Sequence, residues 1–348
     1  MHKLKFPFSA DYDHPEKYGL APFKSVNLHI HTPDNETLGA WFTVSERFYR
    51  SRPAGTPLAE DDITSALTQH PTILFFHGNA ATRALHKRIA YYKAYSARLG
   101  ANTLALDYRG FADSTGTPSE EGLALDARAA WDWLAQRGAK PEDVLVVGNS
   151  LGTAVSVMLV SDLEKDGVQP RGMVLLAPFS SVDTLLETYH LLGLVPLFSP
   201  LKAFPLAVGY VKHFIVHHFD TLSRITTLRT PILIVHSEDD WDIPFTHSET
   251  LFSAIMEPHL SVLDLPAGPT WAHTDEVERL HTVLEERAVT RSKLVERREI
   301  EQLGLVEVFA RNTTGDDVVF LKTQWGGHDR VGLLEGVQDL MGQLFNLH

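Results

Sequence analysis

Residues 144–152 read VLVVGNSLG, and this stretch decides the fold. Its first four residues are apolar throughout, which is typical of a strand covered on both faces of a sheet. Residues 153–163 have the apolar spacing of a packed helix. Gly148 and Gly152 flank Ser150 at two positions on either side, which leaves room for a very tight turn between strand and helix. The stretch therefore predicts a strand, a sharp turn with Ser150 at its tip, and a helix.

Such a turn would allow Ser150 to act as a nucleophile. It would lift the hydroxyl out of the sheet and leave the Leu151 amide free at a helix N-terminus, where it can stabilise an oxyanion. The pattern G-x-S-x-G also occurs by chance, so a glycine-rich turn with an incidental serine is the alternative. The strand before it and the helix after it favour the interpretation of Ser150 as a nucleophile.

Further apolar runs alternate along the chain with stretches long enough for a crossover helix. They occupy residues 73–76, 103–106, 173–176 and 232–235. This alternation predicts a mostly parallel sheet with helices on both faces, the α/β class.

The remaining segments surround this central pattern. Residues 26–31 and 38–44 are predicted as antiparallel edge strands, and residues 306–309 and 318–321 as a pair of strands around a turn. The stretch Glu285–Glu301 carries many charges of both signs and is predicted as a solvated helix. We expect residues 1–25 to form a surface segment and residues 26–348 a single domain, with a cap inserted at about residues 183–222.

A serine nucleophile needs a base, and the base needs an orienting carboxylate. The apolar run at 232–235 leads into HSEDDWDIP at residues 236–244, at a strand end where the acid should lie. Four acids compete for the role: Glu238, Asp239, Asp240 and Asp242. The spacing to the Ile-Pro pair favours Asp240, and Asp239 is the main alternative.

The base should come later in the chain than the acid. His328 lies in the sequence WGGHDR, after the predicted strand at 318–321 and before an amphipathic terminal helix. Its two preceding glycines would let the loop bend over the strand ends. His273 is the rival, since it also follows a possible strand. The position along the chain favours His328.

A second oxyanion donor should follow the first buried parallel strand, where residues 76–80 read FHGNA. The backbone amide of Asn79 is the candidate, facing the amide of Leu151. His77 is interpreted as a hydrogen-bonded, orienting side chain. Arg109 and Asp113 lie in the loop after the next strand, and an ion pair that braces this loop is favoured over contact with substrate.

The composition excludes several classes of function. The chain has 348 residues, a formal net charge of -13 and no cysteine. The absence of cysteine excludes disulfides, thiolate metal sites and a cysteine nucleophile. The acidic balance argues against a broad nucleic-acid surface. His213 and His217 have the spacing of a ligand pair, but no third ligand is evident, so neither a metal nor a cofactor is predicted.

The segment at residues 191–211 comes near the composition of a membrane span, with Lys202 as its one charged residue. Three prolines would break a spanning helix there, and the N-terminus shows no secretory signal. The sequence does not assign a compartment, and the two locations considered are the cytoplasm and the surface of an internal membrane. The apolar side chains expected to line an acyl pocket or to contact a lipid surface are Leu191, Leu194, Leu197, Phe198 and Phe204. A cap that buries these side chains against the core is the alternative.

The motifs together resemble one branch of the α/β-hydrolases. The similarity rests on HGNA at 77–80, DYRGFADS at 107–114, TPSE at 117–120, GNSLG at 148–152 and HSEDD at 236–240. This branch is the abhydrolase-domain group that includes lysophosphatidylserine lipase, also described as a monoacylglycerol lipase. The resemblance implies a mostly parallel eight-stranded sheet with a helical cap. It also implies Ser150 as nucleophile, Asp240 as acid and His328 as base.

The expected function is that of a serine ester hydrolase that acts through an acyl-enzyme. By resemblance, its substrate is a monoacylglycerol or a lysophospholipid, with peripheral membrane contact through the cap. A soluble esterase or thioesterase acting on small metabolite esters would share every catalytic residue. A binding protein that has kept the fold without the activity is the other alternative.

Overall fold

A central sheet organises the molecule. The computed structural model describes residues 6–188, 190–191, 195–196, 216–263, 274–311 and 317–347. Within these residues, ten strands form the sheet in the order β1-β2-β4-β3-β5-β6-β9-β12-β11-β10. The six strands from β4 to β12 in this order run parallel to one another. Antiparallel pairs close both edges.

The elements have the following bounds. The strands are β1 Ser25–His31, β2 Thr37–Thr43, β3 Thr72–Phe76, β4 Asn102–Leu106, β5 Val144–Asn149, β6 Gly172–Leu176, β7 His190–Leu191, β8 Val195–Pro196, β9 Ile232–Ser237, β10 Val295–Ile300, β11 Gly304–Phe309 and β12 Val318–Thr323. The helices are α1 Glu46–Ser51, α2 Glu60–Gln69, α3 His86–Ala97, α4 Glu120–Gln136, α5 Leu151–Lys165, α6 Val182–Thr188, α7 Thr221–Ile225, α8 Thr246–Met256, α9 Thr274–Leu294, α10 Gly327–Arg330 and α11 Glu335–Phe345. β7 and β8 form a small separate pair.

The parallel strands are buried on both faces, as their unbroken apolar runs predict. Every residue of β5 is buried. Because side chains alternate along a strand, Val144 and Val146 enter one core cluster and Leu145 and Val147 enter the other. The sheet therefore has a hydrophobic core on each face, and the predicted α/β class with a mostly parallel sheet is confirmed.

The number of strands was predicted wrongly, since the structure has ten in the main sheet where eight were expected. The stretch Glu285–Glu301 accounts for part of the difference. Its helix ends at Leu294, and Val295–Ile300 then forms the edge strand β10, paired with β11. The four central residues of β10 are exposed and charged. Charges of this kind keep an edge strand from pairing with other chains, and they also suit a solvated helix, so the pattern did not distinguish the two.

The chain between β6 and β9 is the predicted cap. Four of the predicted lining residues lie outside the described residues: Leu194, Leu197, Phe198 and Phe204. Leu191 lies in β7, and its side chain is outside what the structure describes. In the part of the chain that the structure describes, no helix combines the length and the apolar character that a membrane crossing needs.

Candidate active site

Ser150 lies in a sharp turn between β5 and α5. Its backbone has φ 53° and ψ -120°, a left-handed conformation that costs energy in a residue with a side chain. A Cβ atom on Gly148 would lie 2.3 Å from the Gly152 carbonyl oxygen, and one on Gly152 would lie 2.0 Å from the Phe76 carbonyl oxygen. Both positions therefore require glycine, because the turn packs backbone against backbone there.

Three side chains meet at the carboxyl ends of the parallel strands. Ser150 follows β5, Asp240 follows β9, and His328 lies in α10 after β12. The Nε2 atom of His328 is 2.9 Å from the Ser150 Oγ, and its Nδ1 atom is 2.8 Å from the Asp240 Oδ2. Sequence reasoning selected these three residues, and the structure brings them together in one hydrogen-bonded chain.

The Asp240 carboxylate accepts four hydrogen bonds. Its Oδ1 accepts from the backbone amides of Asp242 and Ile243, each at 2.9 Å. Its Oδ2 accepts from His328 and, at 3.1 Å, from the Nε2 of His236. The side chain of Asp240 is wholly buried, so these donors replace the water that an exposed carboxylate would bind.

Asp239, the alternative acid, contacts the site in a different way. Its Oδ1 accepts a hydrogen bond from the Gly327 amide at 2.7 Å and another from the Ser237 hydroxyl. It thus ties β9 to the residue before His328, while the imidazole itself is bonded to Asp240. His273, the alternative base, lies outside the described residues.

Sequence reasoning did not single out His236, which contacts Asp240. Its Nε2 lies near two acceptors, Asp240 Oδ2 and the Ile243 carbonyl oxygen at 2.9 Å, so this nitrogen carries the proton. Its Nδ1 is then free to accept from the Ser248 hydroxyl at 2.7 Å. A histidine within the otherwise apolar end of a buried strand, just before the acidic loop, was the available signal.

Burial and charge act in opposite directions on the two ionisable groups. Burial opposes the charged form of His328, but the Asp240 carboxylate outweighs it and raises the pKa of His328 above its ordinary value. Burial likewise opposes ionisation of Asp240, but hydrogen bonds from His236 and His328 hold the pKa of that carboxyl well below its usual range. Asp240 is therefore a fixed negative charge beside an imidazole that can titrate near neutral pH.

The two predicted oxyanion donors belong to segments next to Ser150. Leu151 is the first residue of α5, so its amide has no acceptor within the helix. Gly78 and Asn79 follow β3, and a Cβ on Gly78 would lie 3.2 Å from the Cβ of Ser150. The loop after β3 thus runs directly against the nucleophile turn.

Arg109 and Asp113 both brace loops, but they do not pair with each other as predicted. Arg109 forms ion pairs with Asp126 and Asp34. Asp113 accepts hydrogen bonds from both terminal nitrogens of Arg83, at 2.6 and 2.9 Å. Their place in one loop suggested an ion pair within it, whereas the partners of each side chain lie elsewhere in the chain.

Comparison with known proteins agrees with this fold. The model of the α/β-hydrolase-fold family matches residues 71–198. A Pyrococcus furiosus esterase, Pf2001, superposes with a TM-score of 0.56 at 15% identity, covering 95% of this chain and 92% of that chain. An α/β-hydrolase from Vibrio vulnificus also gives 0.56, at 17% identity, with 95% and 84% covered. These structures share the fold, and the chain has the α/β-hydrolase fold.

The branch within this class follows from sequence relatives. The chain is 30% identical over 279 residues to lysophosphatidylserine lipase ABHD12 of Rattus norvegicus, covering 79% of this chain and 67% of the relative. The protein of the same name from Xenopus tropicalis is 30% identical over 268 residues, with 76% and 66% covered. The chain therefore belongs to the abhydrolase-domain branch of the α/β-hydrolases. It spans about two thirds of the length of these relatives.

Proposed function

We propose that the protein is a serine ester hydrolase that works through an acyl-enzyme. The observation that carries the proposal is the unbroken contact from the Ser150 hydroxyl through His328 to the buried Asp240 carboxylate. A serine hydroxyl is a weak nucleophile until a positioned base takes its proton. The three residues have the contacts that this activation needs, on a turn that presents the hydroxyl at the strand ends.

The reaction proceeds in two balanced halves. The Ser150 oxygen attacks the ester carbonyl as its proton passes to the Nε2 of His328, and the carbonyl oxygen becomes an oxyanion. The oxyanion collapses, the carbon–oxygen bond to the alcohol breaks, and His328 returns the proton to the leaving alcohol. Water then attacks the acyl-enzyme, giving its proton to His328, which passes it to the Ser150 oxygen as the acid leaves.

Asp240 and the two backbone amides stabilise the charges that form. Asp240 accepts a hydrogen bond from the Nδ1–H of His328, which leaves Nε2 free to take the serine proton, and its negative charge stabilises the imidazolium. The amides of Leu151 and Asn79 are the proposed oxyanion donors. Because these groups are held in place before substrate binds, they need little reorganisation during the reaction.

The relatives and the fold support a lipid ester as the substrate, and we propose a lysophospholipid or a monoacylglycerol. Two large exposed side chains near the site add to this support. Trp241, next to Asp240, is 73% exposed, and Trp325, three residues before His328, is 65% exposed. Tryptophan at such positions suits contact with lipid chains and the edge of a membrane surface.

A panel of esters tests the substrate class. Purified protein is offered lysophosphatidylserine, lysophosphatidylcholine, monoacylglycerol and short-chain esters of the same alcohols, with Ser150→Ala as the matched control. We expect Ser150-dependent hydrolysis that favours long acyl chains. Activity confined to short acyl chains would instead identify an esterase for small metabolites. A folded protein that hydrolyses none of these esters and does not react with a fluorophosphonate would be a binding protein.

The profile of kcat/KM against pH should fall on its acidic side, with a midpoint above the ordinary pKa of histidine, about 6.5. Only the neutral imidazole can accept the serine proton, and the Asp240 carboxylate raises the pKa of His328. kcat/KM should therefore increase with pH through that raised pKa and then level off. Initial rates across a pH series, with an ester whose own charge is constant, measure it. A limb at or below the ordinary value would contradict the assignment of His328.

A further inference from the structure

Arg88 is a buried cation next to the loop that follows β3. It lies in α3 and is buried, yet among the described residues no carboxylate lies within ion-pair distance of its guanidinium. Its Nη2 atom donates instead to the carbonyl oxygens of Gly78 and Ala80, at 2.9 and 2.6 Å. A buried charge that is not paired with an opposite charge is costly, so the groups it does contact are informative.

The other buried arginine nearby shows the contrast. Arg83 has a wholly buried side chain, but it is paired with the carboxylates of Asp107 and Asp113. Arg88 therefore differs from Arg83 in that its contacts are peptide carbonyl groups of the proposed oxyanion loop. Its charge acts on that loop without an intervening carboxylate.

These contacts set the direction of one particular amide. The Gly78 carbonyl oxygen accepts from the Nη2 of Arg88 and also lies 2.7 Å from the Nδ1 of His77. In a trans peptide the C=O and N–H bonds point in opposite directions. The Asn79 N–H, which belongs to the same peptide unit, therefore points away from Arg88 and His77.

The loop needs such external support, because its backbone is strained. Ala80 and Ala81 follow one another with φ of 63° and 56°, a left-handed conformation that alanine seldom adopts. Strained residues keep such a conformation only when their surroundings impose it. The bond from Arg88 to the Ala80 carbonyl oxygen is one such restraint.

We propose that Arg88 is a positioning residue for the oxyanion hole, an inference that rests on the proposed function. The guanidinium holds the Gly78–Asn79 peptide with its N–H towards the Ser150 side. It also polarises that peptide, because the cation lies at the carbonyl end and the partial positive charge of the N–H is directed at the developing oxyanion. Arg88 touches neither the substrate nor Ser150 in this role.

The test compares Arg88→Met with Arg88→Lys. For the methionine variant we expect kcat to fall by about tenfold to hundredfold with KM nearly unchanged, since loss of one oxyanion donor outright costs more. The lysine variant keeps the charge but not the contact with both carbonyl groups. Its kcat should therefore lie between that of the methionine variant and that of the wild type. The acidic limb of the pH profile should stay in place in both, because His328 and Asp240 are untouched.

A long-chain alkyl trifluoromethyl ketone supplies the second readout. Its hemiketal with the serine carries an oxyanion, so its Ki should increase by the same factor as kcat decreases. Arg98→Gln, a substitution of a surface arginine at the end of the same helix, is the matched control and should leave both values unchanged. Thermal unfolding identifies variants that have lost the fold. If Arg88→Met has lost it, the comparison of kcat and Ki is made with Arg88→Lys and the wild type only.

The outcomes separate this inference from the proposed function. A folded Arg88→Met or Arg88→Lys variant with wild-type kcat and Ki would overturn the positioning role. A fall in kcat without a matching increase in Ki would also overturn it, since the loss would then come from elsewhere. Failure of the proposed function would show differently, as wild-type protein that binds the ketone no better than Ser150→Ala does.

Discussion

Replacing Ser150 by alanine is expected to lower kcat for ester hydrolysis by about 10⁵- to 10⁶-fold. The variant lacks the oxygen that would form the acyl-enzyme, and His328 is left with no proton to accept from it. The contact of the Ser150 hydroxyl to His328 is only partly buried, and alanine can keep the backbone conformation of the turn. We therefore expect the fold to be kept. Initial rates on the preferred ester, together with thermal unfolding, measure both effects.

Ser156 provides the matched control for this substitution. It is a buried serine on α5, the helix that follows Ser150, and its hydroxyl donates to the Gly152 carbonyl oxygen at 2.9 Å. Ser156→Ala should keep activity within a few-fold of the wild type, because a hydroxyl bonded within its own helix contributes little to the reaction. If Ser150→Ala hydrolyses the ester as fast as Ser156→Ala does, Ser150 is not the nucleophile.

Replacing Asp240 by asparagine is expected to cost about 10⁴-fold in kcat. The asparagine amide cannot stabilise the imidazolium, and its N–H₂ group favours the wrong tautomer of His328. The substitution also removes the charge that raises the pKa of His328, so the acidic limb of the residual activity should move to lower pH. The rate and the pH profile are measured on the same preparation.

Asp239→Asn is the control for Asp240→Asn, since the two acids are adjacent and only one contacts the imidazole. Asparagine at 239 keeps an oxygen that can accept from Gly327 and Ser237. We expect a loss of less than about tenfold, from a looser loop before His328. A larger loss for Asp239→Asn than for Asp240→Asn would assign the orienting role to Asp239.

Most of the sheet could be predicted because a strand buried on both faces needs a continuous apolar run. The runs at β3, β4, β5, β6 and β9 have this property, and the structure places each as a parallel strand. The edge strand β10 lacked the signal. Its exposed charges are compatible with helix or strand, and only its pairing with β11 decides between them.

In the candidate site, too, some contacts could be predicted from the sequence and others could not. Ser150, Asp240 and His328 each follow a strand end, so their meeting could be predicted from chain order and topology. The contact of His236 with Asp240 and that of Arg88 with two carbonyl groups depend on how a loop bends and which face of α3 turns inward. The helical period of 3.6 residues can indicate which face of α3 is buried, but it does not give the hydrogen-bond partner of a side chain on that face.

The most direct test of the central claim is the mass of the protein after reaction with a fluorophosphonate, followed by sequencing of the modified peptide. The account predicts one adduct per chain, on Ser150, which is absent from Ser150→Ala and forms far more slowly in His328→Ala. An adduct on another residue of the folded protein, or labelling at the same rate without His328, would contradict it.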